Sequence, residues 1–191
     1  MSETRLESDS IGDIAVPAAA YWGAQTQRSL ENFPFADRER MPWPVIVALA
    51  QVKMAAAQVH ASSRALPAEI ADAIIEAGAS ITIGQHADQF PLAIWQTGSG
   101  TQTNMNVNEV IAGLANERLA GARGGKTPVH PNDHVNKGMS SNDAFPTALH
   151  IAALREAEGQ LIPALMRLRL ALQAKADAWS SIVKIGRTHL Q

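Results

Sequence analysis

A run of neutral hydrogen-bonding side chains occupies residues 96–109, QTGSGTQTNMNVNE. Nine of these residues carry a hydroxyl or an amide, and Glu109 supplies the single formal charge of the run. Hydroxyls and amides donate hydrogen bonds without carrying charge of their own. Such donors suit a site that binds an anion. The run directly follows an apolar segment, residues 90–95, whose composition predicts burial.

Two further polar loops have the same density of donors, HPNDHVNKGMSSND at 130–143 and GRTHLQ at 186–191. In the first of these, Ser141 or Asn142 is well placed to cap a following helix, and Asp143 would complement the helix dipole. Capping alone explains these residues without any function. A helix N-terminus with free N–H groups and extra hydroxyls is also an anion site, so both interpretations can hold together.

Phosphate-loop and metal chemistry fit the sequence less well. The stretch Gly98-Ser-Gly-Thr101 lacks the Gly-Lys-Ser/Thr ending of a Walker loop, and no glycine completes a dinucleotide pattern after a convincing strand. His130 and His134 lie in a loop rich in Pro and Asn without a third nearby ligand, which favours hydrogen-bonding roles over a metal site. The chain has no cysteine, which excludes disulfides and thiolate metal sites.

The composition predicts a soluble globular protein. The chain has 191 residues, of which 46% are hydrophobic, and a net charge of -2. This balance disfavours nucleic acid and anionic lipid as partners. The first ten residues are acidic and lack the features of a signal or transit peptide. We therefore expect a cytoplasmic location and no membrane partner.

Helical periodicity dominates the sequence after the first forty residues. Apolar residues recur every three to four positions from Val45 to about Ser63, Pro67 opens a second helix, and a third helix ends just before Gly121. The first forty residues are rich in Gly and Pro, which predicts extended segments and turns. Strands are minor, so the predicted fold class is mainly α.

The last predicted helix is apolar on too many sides to lie on a surface. It begins at Asn142, with a break near Gly159 and a restart whose first turns accept Pro163. Because the helix requires neighbours that the remaining sequence does not supply, we expect this chain to be a fragment of a longer protein. Its two apolar stripes are Leu161, Leu165, Leu168, Leu172 and Trp179, and Ile162, Met166 and Leu170.

Several motifs together resemble those of class II fumarase, a family of the fumarase/aspartase superfamily. They are YWGAQTQ at 21–27, WQTGSGTQTNMNVNE at 95–109, HPND at 130–133, SSND at 140–143 and GRTH at 186–189. The resemblance runs in family order from about Arg5 to the last residue. Each motif alone is weak, whereas their combination is specific.

The resemblance implies a mainly helical fold of three domains, whose central bundle packs into a homotetramer with active sites shared among three subunits. Residues 1–139 would form the N-terminal domain, and residues 140–191 would begin the central helical-bundle domain. Family members are more than twice as long as this chain. Their remaining part holds a flexible Gly-Ser-Ser loop, with the Ser usually assigned as the base, and the Lys and Asn that follow it.

The implied activity is that of fumarate hydratase, the reversible hydration of fumarate to (S)-malate in the tricarboxylic acid cycle, with no cofactor and no metal. His189 is implied as a catalytic proton donor or acceptor. The residues implied to bind the dicarboxylate substrate are Ser99, Thr101, Ser140, Ser141, Asn142 and Thr188. The residues that match a second, non-catalytic dicarboxylate site are His130, Asn132 and Asp133.

Two positions depart from the family pattern. Gly138-Met139 stands where a Ser-Gln pair is more usual, and His134 occupies a position that differs among members. Neither departure removes a matched functional residue. The first could alter how the loop of residues 140–142 is held.

Two alternatives to a fumarate hydratase remain. An aspartate ammonia-lyase-type relative would share the anion site but tends towards Ala in place of Ser99 and Thr in place of Ser141, so both positions favour fumarase. A non-catalytic helical oligomerisation fragment would use its polar loops only to cap helices. Because the implied base loop is absent, we expect the chain alone to be inactive.

Overall fold

The structure, a computed structural model, describes residues 3–35, 39–186 and 189. It is mostly helical, with one two-stranded antiparallel sheet within these ranges, which confirms the predicted fold class. The chain divides into two compact units, Met1–Ala152 and Ala153–Gln191. The boundary expected between residues 139 and 140 of the family fold stays a prediction.

The first unit begins with a β-hairpin that agrees with the extended segments and turns expected there. Strand β1 (Thr4–Asp9) pairs antiparallel with β2 (Gly12–Pro17). Arg5 of β1 donates hydrogen bonds to the backbone carbonyls of Ala20 and Trp22, each at 2.7 Å. One guanidinium therefore attaches the hairpin to the segment that follows it.

A helix, α1 (Ala24–Asn32), stands where the sequence predicted only extended segments and turns. No side chain at Gly23, the residue before the helix, caps its start. Instead, the carboxylate of Glu109 accepts backbone N–H groups from Gly23 at 3.0 Å, Gln25 at 2.9 Å and Thr26 at 3.0 Å. The prediction was wrong here because the group that stabilises the helix start lies far away in the sequence.

Three helices, α2 (Trp43–Ser62), α3 (Ala68–Thr82) and α4 (Thr101–Ala120), form the core of the first unit. The predicted ends of α2 agree to about two residues, and α4 ends at Gly121, which has the positive φ of 69° typical of a glycine cap. The fully buried aliphatic residues of these helices include Ile46, Leu49, Ile74, Ile81, Val107, Val110 and Ile111.

Within the described ranges, α2 is the helix that is long and apolar enough to cross a membrane, judged by length and composition alone. In this fold it packs against α3 and α4. Val45 and Leu49 are buried in that core, whereas Val59 near the end of the helix is 64% exposed. The length and apolarity of α2 are therefore those of a central core helix.

The apolar segment before the polar run is buried only in part. Phe90, Leu92 and Ala93 are buried, whereas Ile94 is 38% and Trp95 is 58% exposed. The prediction of complete burial was wrong at this end, because the chain reaches the surface there before it enters the loop that starts α4.

Helix α5 (Ser141–Glu156) is followed directly by a π-helical turn, Ala157–Leu161, and by α6 (Ile162–Ala178). The break expected near Gly159 is therefore a π-helical turn rather than an interruption. Pro163 lies in the first turn of α6, as predicted.

Along α6 the apolar side chains of the predicted stripes stay exposed. The exposed fractions are 54% for Leu165, 56% for Leu168 and 63% for Leu172. Burying a Leu side chain contributes roughly 1.5–3 kcal/mol, so a helix surface of this composition favours a covering partner.

Candidate anion-binding site at two helix N-termini

The loop of residues 96–100 leads into α4 and holds the start of that helix. Gln96 Oε1 accepts hydrogen bonds from the backbone N–H of Thr103 at 3.0 Å and from its hydroxyl at 2.9 Å. Gly100, the residue before α4, has a φ of 71°. A Cβ at Gly100 would lie 2.2 Å from the ring of Phe145, so the loop can pack on α5 only with glycine at this position.

The starts of α4 and α5 lie next to each other. Asn104, in the first turn of α4, donates from Nδ2 to Oγ of Ser141, the first residue of α5, at 2.9 Å. Backbone N–H groups at a helix start carry partial positive charge and bind anions. Two such starts side by side form a candidate anion-binding site.

The polar side chains predicted to bind substrate lie on these two helix starts. Ser99 and Thr101 are exposed, and their hydroxyl oxygens are 3.1 Å apart. Ser140 donates from its hydroxyl to Oδ1 of Asn142, and both residues are exposed, whereas Ser141 is half-buried. The fold therefore brings together five of the six residues predicted to bind the dicarboxylate.

The helix start at α5 differs by one residue from the expected cap. The backbone carbonyl of Ser140 accepts the N–H of Ala144 at 2.9 Å, which makes Ser140 the capping residue rather than Ser141 or Asn142. Asp143 lies in the first turn, as expected from the helix dipole.

Half of the polar run of residues 96–109 is buried in the protein interior. Helix α4 begins at Thr101, and every residue from Thr103 to Glu109 is buried. Asn106 donates to the backbone carbonyl of Gln89 at 3.1 Å, and Glu109 caps α1. The part of the run that can meet a ligand directly is therefore residues 96–102, while the buried Asn104 reaches the site through its hydrogen bond to Ser141.

Lys53 of α2 lies close to the site and was missed in the sequence. It is fully buried, and its Nζ donates to Oδ1 of Asn136 at 2.7 Å. Burial lowers the pKa of Lys53 to about 7. A signal was available, since Lys53 is the single charged residue between Val45 and Val59.

Asn136 links this lysine to the helix starts. Its Oδ1 also accepts from Nδ2 of Asn104 at 3.2 Å, and its own Nδ2 donates to the carbonyl of Met139 at 3.0 Å. Asn104 in turn donates to Ser141. Lys53, Asn136, Asn104 and Ser141 are thus joined by a continuous chain of hydrogen bonds.

The residues predicted for a second dicarboxylate site also lie together, around the π-helical turn Pro131–Val135. His130 Nδ1 accepts the backbone N–H groups of Asn132 and Asp133, each at 3.1 Å. A carboxylate oxygen of Asp133 lies 3.4 Å from the same nitrogen. Burial, with nearby His130 as a second cause, lowers the pKa of His134.

The remaining predicted residues belong to the second unit. His189 is exposed in a turn, and Thr188 lies outside the described residues. Their roles stay predictions. Within the part of the chain that the structure describes, no group of three or more His, Asp or Glu side chains could hold a metal ion.

The sequence is similar to a known protein family over nearly its whole length. A family model described as lyase matches residues 12–191. The chain belongs to the lyase family. Relatives in this family include a fumarate hydratase class II of Methylorubrum extorquens, 62% identical over 99% of this chain, and one of Nitrosomonas europaea, 59% identical over all of it.

Solved structures of the lyase family have the same fold. The crystal structure of a class II fumarase from Schistosoma mansoni is 45% identical, with a TM-score of 0.94 over 99% of this chain. A fumarate lyase:delta crystallin structure from Brucella melitensis is 43% identical, with a TM-score of 0.92 over 99% of this chain and 44% of that one. These similarities confirm the resemblance to class II fumarase that the motifs predicted.

The match covers only part of each relative. The chain spans 40% of the length of the Methylorubrum protein, 41% of the Nitrosomonas protein and 40% of the Schistosoma chain. The region shared with each of them includes both helix starts of the candidate site.

Proposed function

We propose that this chain supplies the substrate-binding helix starts of a class II fumarate hydratase, which interconverts fumarate and (S)-malate. The observation that carries the proposal is the hydrogen bond from Asn104 to Ser141, which joins the starts of α4 and α5. It is supported by the relatives named as fumarate hydratases, one of which is 62% identical.

The reaction explains why neutral donors suit this site. Removal of a proton from the carbon next to one malate carboxylate sends the electron pair into that carboxylate, which then carries a second negative charge. The C–O bond to the hydroxyl then breaks, the hydroxyl takes up a proton, and fumarate and water result. Donors aimed in advance at the carboxylate oxygens stabilise this growing charge more than the ground state.

The proposed roles follow the two helix starts. Ser99, Thr101, Ser140, Ser141 and Asn142 bind the carboxylates of the substrate with hydroxyl and amide donors, and the positive helix ends add to the attraction. Loss of one such donor typically costs about 3 kcal/mol of transition-state stabilisation.

Three further parts of the site are proposed from the family pattern. His189 transfers a proton to or from the hydroxyl or water, and Thr188 is a further substrate ligand. The group of His130, Asn132 and Asp133 is proposed as a second, non-catalytic dicarboxylate site. From the resemblance to class II fumarase we propose a reaction without a cofactor or metal; adding water to a double bond requires no electron transfer.

We propose that the active protein is a homotetramer in which the apolar surface of α6 is covered by other helices. The exposed Leu165, Leu168 and Leu172 support this assignment. The proposed setting is the cytoplasm and the tricarboxylic acid cycle, in which fumarate and malate are consecutive intermediates, with no nucleic-acid or membrane partner.

The test uses a joined enzyme, in which residues 1–191 of this chain are followed by the part of the Methylorubrum relative that the chain does not cover. We expect it to convert malate to fumarate, detected by the ultraviolet absorbance of fumarate. Thr101→Val is nearly isosteric but lacks the hydroxyl, so it should lower kcat/KM about a hundredfold with little change in melting temperature.

The outcomes separate the alternatives. A joined enzyme that folds but shows no malate turnover would contradict the proposal. Release of ammonia from aspartate by the same protein would instead favour the aspartate ammonia-lyase alternative. Normal turnover in Thr101→Val would contradict the assignment of the anion site to this helix start.

A further inference from the structure

The hydrogen-bond chain that starts at Lys53 has one direction, which elementary chemistry imposes. The amine of Lys53, protonated or not, carries hydrogens to donate, and Asn136 presents its Oδ1 to Nζ of Lys53, 2.7 Å away. The Nδ2 of Asn136 then donates to the backbone carbonyl of Met139 at 3.0 Å, and a carbonyl only accepts. The carbonyl therefore fixes the orientation of the Asn136 amide, and Lys53 is the donor to its Oδ1.

Asn136 in turn fixes the amide of Asn104. Because Oδ1 of Asn136 is an acceptor, Asn104 approaches it with Nδ2, at 3.2 Å. The same nitrogen donates to Oγ of Ser141 at 2.9 Å. This orientation leaves Oδ1 of Asn104 buried without a hydrogen-bond partner in the part of the chain that is described, which is costly. The orientation of the Asn104 amide is thus determined by the two acceptors of its Nδ2, since its Oδ1 has no partner among the described residues.

The series of hydrogen bonds that starts at Lys53 ends at the hydroxyl of Ser141, which can still act as a donor. Ser141 accepts the hydrogen bond from Asn104 through its oxygen. Among the described residues no acceptor is found for its single hydroxyl hydrogen. Ser141 is half-buried at the start of α5, between the exposed residues Ser140 and Asn142. A carboxylate bound at this helix start could accept that hydrogen.

We propose that Lys53 is a positioning residue of the substrate site, which acts through Asn136 and Asn104 to hold Ser141 as a hydrogen-bond donor towards a substrate carboxylate. The inference rests on the proposed fumarate hydratase function. No ion pair of the described residues includes Lys53. A buried ammonium without a carboxylate partner is expensive to fold, and the fixed direction of this hydrogen-bond chain gives it a role.

The test compares Lys53→Met with the unchanged joined enzyme. Met has nearly the length of Lys but cannot donate, so Asn136 loses the donor to its Oδ1 and keeps only the Met139 carbonyl as an orienting partner, which holds Asn104 less firmly. We expect kcat/KM for malate to fall about tenfold, the size of one lost charge-assisted hydrogen bond. The melting temperature should stay equal or rise, because a buried charge is removed. Lys126→Met, at an exposed position of the loop after α4, is the matched control and should leave both quantities unchanged.

A double-mutant cycle with Ser141→Ala distinguishes positioning from a general structural role. If Lys53 acts through Ser141, Lys53→Met should change kcat/KM less than twofold when Ser141 is already Ala. A further tenfold loss in that background would overturn the inference, as would unchanged kcat/KM in the single variant.

A measurement on the 191-residue chain tests the same hydrogen bonds without requiring catalytic activity. The side-chain amide protons of Asn104, followed by nuclear magnetic resonance, should exchange with water at least about tenfold faster after Lys53→Met, because the amide is no longer held. Equal exchange rates would overturn the inference even if the joined enzyme is active. Faster exchange in a chain whose joined enzyme has no malate turnover would support the positioning of Asn104 and contradict the proposed function alone.

Discussion

The carboxylate of Glu109 in α4 accepts two hydrogen bonds from Thr26 in α1, one from the backbone N–H at 3.0 Å and one from the hydroxyl at 2.6 Å. Two more backbone N–H groups, of Gly23 and Gln25, donate to the same carboxylate. Burial raises the pKa of Glu109, while these hydrogen bonds oppose the rise. A single side chain thus caps one helix from the middle of another.

The first prediction concerns this cap. Glu109→Gln keeps the size of the side chain but replaces one acceptor oxygen by a donor that faces backbone N–H groups. We expect the free energy of unfolding to fall by about 1–3 kcal/mol. Urea unfolding followed by circular dichroism measures this change. Glu158→Gln, at an exposed position of the π-helical turn, is the control, and equal midpoints for the two variants would contradict the role of Glu109.

The second prediction concerns the close packing of Gly100 on Phe145. Gly100→Ala adds a Cβ at a φ of 71° and 2.2 Å from the ring, so both backbone strain and overpacking oppose it. We expect the free energy of unfolding to fall by about 2–4 kcal/mol. About 1 kcal/mol of this comes from the positive φ and the rest from the close contact with the ring. Gly98→Ala, where the added carbon meets nothing within 4 Å, is the matched control. A melting temperature lowered equally by both changes would contradict the stated packing.

The third prediction follows from the pKa of Lys53, which burial lowers from 10.5 to about 7. Between these values the unfolded chain binds the proton and the folded chain does not, so stability rises with pH there. Below about pH 7 both states are protonated, and the full penalty of burying the charge remains. The free energy of unfolding of the unchanged chain, minus that of Lys53→Met, should therefore increase by roughly 1 kcal/mol per pH unit above about pH 7. Urea titrations at several pH values provide the measurement, and a difference that is flat with pH would show that Lys53 keeps an ordinary pKa.

The fourth prediction separates two histidines. In the joined enzyme, His189→Asn should lower kcat by about a hundredfold or more, because it removes the proposed proton transfer. His130→Asn should leave kcat near that of the unchanged enzyme, since the proposed second site is not catalytic. Steady-state assays with malate decide between the assignments, and equal losses in the two variants would contradict them.

The fifth prediction concerns the 191-residue chain by itself. We expect it to associate through the exposed apolar surface of α6 and to show no malate turnover, since the implied base loop is not part of it. Replacing Leu168 and Leu172, which are 56% and 63% exposed, by Gln should shift the chain towards the monomer. The control is Leu6→Gln, on the β-hairpin, where the side chain is 75% exposed. Light scattering measures the association, and a malate assay on the same sample measures the turnover. A well-behaved monomer would contradict the predicted association, and measurable turnover would contradict the predicted inactivity.

Local patterns in the sequence predicted a large part of the fold. The apolar periodicity from Val45 to about Ser63 predicted α2, and Pro67 and Gly121 marked the start of α3 and the end of α4. These signals lie within a few residues of the element that they define, because helix formation depends on side chains three to four positions apart and on residues at the helix ends. The motifs at 95–109 and 140–143 likewise identified the family, since residue identity in order needs no coordinates.

Tertiary structure decided which polar side chains serve the site and which serve the core. Nothing near α1 in the sequence marks its start, because its cap is Glu109, 83 residues after Thr26. The hydroxyl and amide side chains from Thr103 to Asn108 could have hydrogen-bonded an anion, yet the elements packed against α4 bury them. Lys53 gains its link to Ser141 only when α2, α4 and the loop at Asn136 meet. The residue type determines how many hydrogen bonds a side chain can make. Which group it bonds to depends on contacts between segments that are distant in the sequence, and those contacts exist only in the folded structure.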